Sequence, residues 1–450
     1  MAIKSLSQPR FEALCFMRRP TIKLLVEEHE WYADQNENVL GTVLFDKPDR
    51  DWSLVILGRD ELARFRCIDQ GINFPSIEKA RQALHDKMKQ LVATGQSVFP
   101  QGLAHKREQS LRLFQPVMTR DKLDPAFISL CEGKGYSSAR EILAEIAYTF
   151  EDPDGNYIQQ FQSTGFDARM WELYIYALLH ENDFIIDRTY KAPDYVCEKY
   201  GQTIVVEATT VNPTIQNSRD KPDLGDPDGL AMADYMAIKL GSALFSKLQK
   251  AYWKLDHVKS RPLIFAVADL RKPDGVNFSS KFLLEYLYGR RQVINGHSIT
   301  HTPITEHVFG GKKIPSGFFY QPNTENVSAV LFSDSGTISK FHRMGKIAGF
   351  GDPTVVMLRV GQRFENAEGG ALTEFREKVD AVGYAETWSE GIWLFHNPNA
   401  KHPSDPNLFE NAAHVFWEEK EYAFYYPKNF PIWSKTIVIS SEEGSQSSAE

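Results

Sequence analysis

Residues 192–210 read APDYVCEKYGQTIVVEATT, and the alternation within them decides how the middle of the chain folds. Side chains along a strand point to opposite faces in turn. Val205, Glu207, Thr209 and Val211 therefore share one face, and Ile204, Val206 and Ala208 the other. Tyr200-Gly201 interrupts the apolar run where a tight turn is needed, so the stretch is expected to be a β-hairpin. A turn centred between Tyr200 and Gly201 sets Asp194 opposite Glu207; a three-residue turn with Gly201 left-handed would shift the pairing by one. Two carboxylates facing each other across a strand pair, with Cβ atoms roughly 5 Å apart, destabilise a sheet. A divalent cation between them reverses that penalty, because hard ions such as Mg2+ take carboxylate oxygens and keep several waters.

Upstream of the hairpin, DARMWELYIYALLHEN predicts a helix over about 167–182. It carries Glu172 between Trp171 and Leu173, and a carboxylate in such apolar company needs a partner. A metal or its bound water would be one. Downstream, the polar loop NPTIQNSRDKPDLGDPDG leads into AIKLGSALFSKLQKAYWKL, an amphipathic helix with Leu240, Leu244, Leu248 and Tyr252 in one stripe. PLIFAVADL follows as a strand of the buried type. Helix, strand, strand, helix, strand gives a mixed α/β layer.

These residue types, in this order, resemble the PD-(D/E)xK nuclease superfamily. That pattern has an acid on the first core helix (here Glu172), then Pro-Asp (Pro193-Asp194), then acid-x-Lys on the next strand (Glu207-Ala208-Thr209). The resemblance covers about 100 of the 450 residues, Gly165 to Leu270. It implies a restriction-endonuclease-like core in which Asp194 and Glu207 bind Mg2+ (or Mn2+), Glu172 assists, and a lysine orients or activates water. Thr209 stands where that lysine would be. The cation must then come from elsewhere, with Lys247 on the following helix the first choice and Lys221 in the long loop the second. Lys239 and Lys250 are further candidates. Lys247, Lys250 and Lys254 fall at i, i+3 and i+7, one face of a helix that could meet phosphates. The activity implied is a metal-dependent endonuclease hydrolysing phosphodiester bonds of nucleic acid, with DNA the expected partner. Restriction or phage defence is the setting by fold-level analogy. The missing lysine favours an alternative, a catalytically inactive nuclease-fold protein that binds nucleic acid or a protein partner.

Composition bounds these readings. Hydrophobic residues make up 42% and charged residues 24%, an ordinary globular balance for an α/β (mixed α+β) chain. A net charge of −8 gives no global attraction for nucleic acid or an anionic membrane, so any nucleic-acid surface must be locally basic. Cys15, Cys67, Cys131 and Cys197 are far apart and form no CxxC, which argues against a disulfide framework and for a reducing compartment. With no signal-like N-terminus and no apolar run near the roughly 18 residues of a membrane span, a cytoplasmic protein is expected. Walker-type and dinucleotide-binding glycine patterns are absent. GYSSA and SDSG lack the strand-elbow-helix context of a hydrolase serine. His396, His402 and His414 match no zinc signature and read as structural or surface histidines.

The flanks divide as follows. Residues 1–95 are expected to form an accessory α+β domain. Its four β-rich runs, IKLLVEEHEWYAD, NVLGTVLFD, WSLVILGRD and ARFRCID, make a meander, and SIEKARQALHDKMKQLV is a helix capped by Ser76. Residues 96–164 form a helical connector, in which Ser138 and Glu141 have capping-box spacing. Residues 165–275 are the nuclease-like core. Residues 276–440 are a mixed α/β C-terminal region, with strands at VSAVLFSD, PTVVMLRV and GIWLFHN and short helices at TEFREKVDAV and LFENAAHVFWEE. Residues 441–450 are a polar, disordered tail. The terminal regions are the candidates for a homodimer or protein-partner interface.

Overall fold

The computed structural model describes residues 2–16, 18, 20–101, 110–211, 230–270, 279–295, 298–365 and 371–440. The chain forms two compact units, Met1–Ser163 with Phe341–Val355, and Thr164–Lys340 with Val356–Glu450. Among the described residues no helix is long and apolar enough to cross a membrane.

The first unit holds strands β1 (Ile3–Ser5), β2 (Val26–Asp34), β3 (Val39–Asp46), β4 (Asp51–Arg59) and β5 (Phe65–Phe74) in one antiparallel sheet of that order. Its helices are α1 (Gln8–Leu14), α2 (Ile22–Leu25), α3 (Ile77–Ala93), α4 (Pro125–Glu132), α5 (Ser137–Thr149) and α6 (Tyr157–Phe161). Alternation turns Val39, Val43, Leu54 and Ile56 onto α3, where Ala80, Leu84 and Met88 meet them. Ser76 caps α3, its Oγ accepting from the Lys79 N–H at 3.4 Å. The sheet has one strand more than the meander alone, because β1 pairs along β2; three residues carry too little periodicity to read. The expected capping box on α5 is not formed. The helix begins at Ser137 without a side-chain cap, and the buried Ser138 donates instead to the carbonyl of His342 at 2.9 Å. Residues 96–163 belong to this unit, because α4 to α6 bury Phe127, Leu130, Ile142, Ile146 and Phe161.

The second unit opens with α7 (Phe166–Glu181), β6 (Ile185–Asp187), β7 (Tyr195–Lys199), β8 (Gln202–Val211), α8 (Leu230–Leu248), β9 (Leu263–Asp269) and α9 (Ser279–Tyr288). Two hairpins follow, β10 (Arg290–Asn295) with β11 (Ser298–Pro303) and β12 (Glu306–Phe309) with β13 (Lys312–Pro315). The remainder is β14 (Ala329–Ser333), α10 (Ile338–Ile347, which belongs to the first unit from Phe341 onward), β15 (Val356–Phe364), β16 (Leu372–Lys378), β17 (Trp393–His396), β18 (Ala413–Glu418), β19 (Glu421–Tyr425) and β20 (Phe430–Ile439).

Among the described residues, eight strands make one mixed sheet in the order β19-β18-β17-β14-β9-β8-β7-β6. Antiparallel pairing joins β6 to β7 and β7 to β8, while β8, β9 and β14 run parallel. Every residue of β9 is buried, as its unbroken apolar run requires of a central parallel strand. The β7–β8 register pairs Tyr195 with Val206 and Lys199 with Gln202. The turn is the two-residue form, with Tyr200 at φ 54° and Gly201 at φ 74°, both left-handed as a type I′ hairpin demands.

Two C-terminal expectations change. TEFREKVDAV supplies β16 and not a helix: Phe375 is buried while its charged neighbours point away, a period of two with a single apolar residue to show it. LFENAAHVFWEE supplies a short 3-10 turn and then β18, whose first residues are buried on both faces of the large sheet. The boundary expected after residue 275 is also crossed, since β14, β17, β18 and β19 extend the sheet begun by β6 to β9. Lys221, its loop and the 441–450 tail lie outside the described residues.

Candidate metal centre

Asp194 sits one residue ahead of β7, in register with Glu207 on β8. The Asp194 N–H donates to Glu207 Oε2 at 3.2 Å, and the Ala208 N–H donates to Asp194 Oδ2 at 2.7 Å. Each acid is thus held by the strand that carries the other. Behind Asp194, the carbonyl of Ala192 lies 2.9 Å from His257 Nε2, and the His257 ring stacks on Tyr190 at 4.0 Å, which fixes the approach to β7.

Glu207 is 4% exposed, and its Oε1 accepts from Lys247 Nζ and from the Tyr252 hydroxyl, both at 2.6 Å. Burial raises its pKa, and the Asp194 charge adds to that; the Lys247 charge and the donors from Lys247 and Tyr252 pull the other way. Burial, then Glu207, keeps the Tyr252 phenol protonated well past its ordinary range.

Glu172 lies on α7, and its own carbonyl accepts from the Tyr195 hydroxyl at 2.6 Å, so helix and hairpin are tied together at this point. Its Oε1 accepts from Arg169 Nη1 at 2.6 Å. Its Oε2 is buried, lies 3.7 Å from Arg188 Nη2, and accepts no hydrogen bond. Burial pushes the Glu172 pKa up to about 7, helped by the charge of Asp194 and, more weakly, of Glu207, and opposed by Arg169 and Arg188. The three acids therefore act on one another electrostatically.

Thr209 lies two residues beyond Glu207 on β8, half-buried and in register with Val267. Lys247 reaches Glu207. Lys239 lies over the ring of Tyr235, its Nζ 5.5 Å from the centroid. The expected Lys247, Lys250, Lys254 stripe does not form, because α8 ends at Leu248 and Ala251, at φ 52°, turns the chain into a 3-10 segment, Tyr252–Lys254. The same turn delivers the Tyr252 hydroxyl to Glu207, a contact that reading Tyr252 as the end of an apolar stripe misses. A buried tyrosine seeks a partner for its hydroxyl, and that was the available signal. Arg169 was visible as an i, i+3 partner of Glu172; nothing local marks Arg188.

The histidine cluster is structural. His396 and His414 are buried and bonded to each other, and His402 contributes a carbonyl to Ser328. Among the described residues no group of three or more His, Cys, Asp or Glu side chains is disposed to hold a metal ion. Mg2+ needs fewer, using one or two carboxylates with waters and substrate phosphates completing its shell. The facing pair Asp194 and Glu207 meets that requirement, and Glu172 Oε2 is a buried carboxylate oxygen that accepts no hydrogen bond. No known family model, curated protein or solved structure matches this chain.

Proposed function

We propose that the second unit is a restriction-endonuclease-like nuclease domain, a metal-dependent phosphodiesterase acting on nucleic acid. The observation that carries this reading is the Lys247 ammonium, 2.6 Å from a Glu207 carboxylate that faces Asp194 across the hairpin. Two acids and a lysine thereby stand together although Thr209 occupies the usual lysine position. Asp194 and Glu207 would hold Mg2+ or Mn2+, which when bound lowers the pKa of its water and offsets charge on the phosphate. Lys247, now bonded to Glu207, would share that carboxylate with the ion and is placed to offer its ammonium to a phosphate oxygen. Glu172, with its pKa raised, accepts the proton of the attacking water. Arg169 and Arg188 keep the Glu172 side chain in place.

One observation favours a second reading, a nuclease fold that binds without cleaving. Glu207 already takes donors from Asp194, Lys247 and Tyr252, so protein groups alone satisfy it. Cleavage of DNA and of RNA in Mg2+ and Mn2+ separates the two. Asp194→Ala should abolish activity, and Lys247→Ala should lower it by about 100-fold or more, the scale of a lost electrostatic contact to the transition state. Activity lost in Asp194→Ala but intact in Lys247→Ala would remove Lys247 from the mechanism. Binding without cleavage under every metal condition would establish the second reading.

A further inference from the structure

His307 on β12 is 1% exposed and bonded at both ring nitrogens. Its Nδ1 lies 2.8 Å from Asp234 Oδ1 and its Nε2 lies 2.9 Å from Ser316 Oγ. With the proton on Nδ1, the ring donates to Asp234 and accepts from the Ser316 hydroxyl. This is the connectivity of a nucleophilic serine, its general base and the carboxylate that orients the base, an arrangement defined by geometry and not by chain order.

The local backbone suits that role. Ser316 follows β13, Gly317 turns the chain at φ 73°, and a 3-10 segment, Phe318–Tyr320, begins at once. A nucleophile elbow holds its serine at the strained residue itself; here the left-handed residue is Gly317, one beyond Ser316, and the turn leaves the serine hydroxyl at the end of its strand. Gly289 backs the turn: a Cβ placed there would lie 3.0 Å from Gly317 Cα, so main chain rests against main chain. Ser316 remains half-buried, within reach of solvent, beside a sealed base. Aromatic rings lie beside part of the triad. Tyr286 is 6.0 Å from the His307 ring, and Tyr235, next to Asp234, meets Phe309 edge-on at 5.2 Å. Such walls favour uncharged, apolar groups. Asp234 shares α8 with Lys247 but lies roughly 20 Å from it along the axis, so this cluster is separate from the carboxylate pair.

We propose that Ser316, His307 and Asp234 form a second active centre, an acyl-transfer site for uncharged carboxylic esters. Ser316 Oγ bonds to the ester carbonyl carbon while His307 Nε2 takes the hydroxyl proton. The bond from that carbon to the alcohol oxygen then breaks, and His307 returns the proton to the departing oxygen. His307 then takes a proton from water as its oxygen bonds to the acyl carbon; the bond from that carbon to Ser316 Oγ breaks, the acid departs, and His307 returns the proton to Oγ. Asp234 is a positioning residue that holds the Nδ1–H tautomer.

The test uses the full chain and a fluorophosphonate probe. Ser316 Oγ bonds to phosphorus, the phosphorus–fluorine bond breaks, fluoride departs and His307 accepts the proton. Peptide mapping should place the label on Ser316, and hydrolysis of p-nitrophenyl acetate should disappear in Ser316→Ala. Asp234→Asn keeps a hydrogen-bonding side chain against His307 but permits the opposite tautomer. Labelling should then slow at least about 100-fold, the scale of lost general-base assistance, and Asp234→Glu should restore part of the rate. A mere clamp of the β12–β13 hairpin onto α8 would tolerate Asn. A parent protein that is folded by circular dichroism yet unlabelled overturns the proposal. So does equal labelling of Ser316→Ala, or of Asp234→Asn, at the parent rate.

Discussion

His396 Nε2 lies 2.9 Å from His414 Nδ1, and His414 Nε2 lies 3.0 Å from the carbonyl of Phe409. A carbonyl only accepts, so His414 carries its proton on Nε2 and its Nδ1 accepts from the N–H of His396. A second proton on His414 would set two donors against each other. Burial, with the neighbouring His414, pushes His396 down to about 3, and burial also lowers His414. Free histidine titrates near 6.5. Between about 3 and 6.5 the His396 site therefore binds more protons unfolded than folded, so its contribution to stability is complete above that window and is lost as pH falls through it, whereas the raised Glu172 acts in the opposite sense. Between pH 7.5 and pH 5 His396 should remove roughly 2 kcal/mol from the stability read by urea unfolding. His396→Gln should lose that increment, so its stability falls less, or rises more, than the parent's over the same interval. An unchanged slope in that variant would assign the acid sensitivity to other groups.

Trp171 on α7 is fully buried, with its Nε1 donating to the carbonyl of Ala266 on β9 at 3.1 Å. Gly336 leaves room for it, because a Cβ there would lie 2.6 Å from Trp171 Cε3. A rigid indole bonded to a central strand cannot withdraw, so Gly336→Ala should cost about 1–3 kcal/mol in denaturant unfolding. A neutral result would mean that the 334–337 connection moves instead. At this scale the sequence is readable wherever period and punctuation agree. The hairpin register followed from Tyr200-Gly201, α7 and α8 from their apolar spacing, and β9 from its unbroken run. Glu172, Glu207 and Lys247 could be named because each stands in such an element, and Asp194 because it directly precedes β7. Reading failed where one apolar residue had to define a period, as Phe375 does in β16, and where a contact depends on a break in the chain. Ala251 ends the lysine stripe and brings Tyr252 to Glu207. Ser316 gave no signal either, since IPSGFF lacks the glycine spacing of a hydrolase elbow and its partners lie on α8 and β12.

The large sheet of the second unit is assembled from both sides of residue 275, and this determines what can fold alone. A fragment of residues 165–275 keeps α7, β6 to β9 and α8. It loses β14, which pairs in parallel with β9 from Ala329–Ile264 to Ser333–Ala268. It also loses Leu283, Leu287, Tyr288, Phe318 and Phe332, which share a core with Val205, Leu240, Leu244, Phe265 and Val267. The remaining strand would present an open apolar edge, the feature that sheets in stable proteins cover, shorten or charge. The carboxylate pair itself lies inside the fragment, so loss of structure there would not reflect missing ligands. We expect the 165–275 fragment to associate and to show no cooperative urea transition by tryptophan fluorescence, whereas the full chain unfolds cooperatively. Size-exclusion chromatography of both checks the association. A monomeric fragment with a sharp transition, its urea slope matching the surface of about 110 residues, would show that β9 is stable without β14 and that the candidate metal centre belongs to a self-sufficient core.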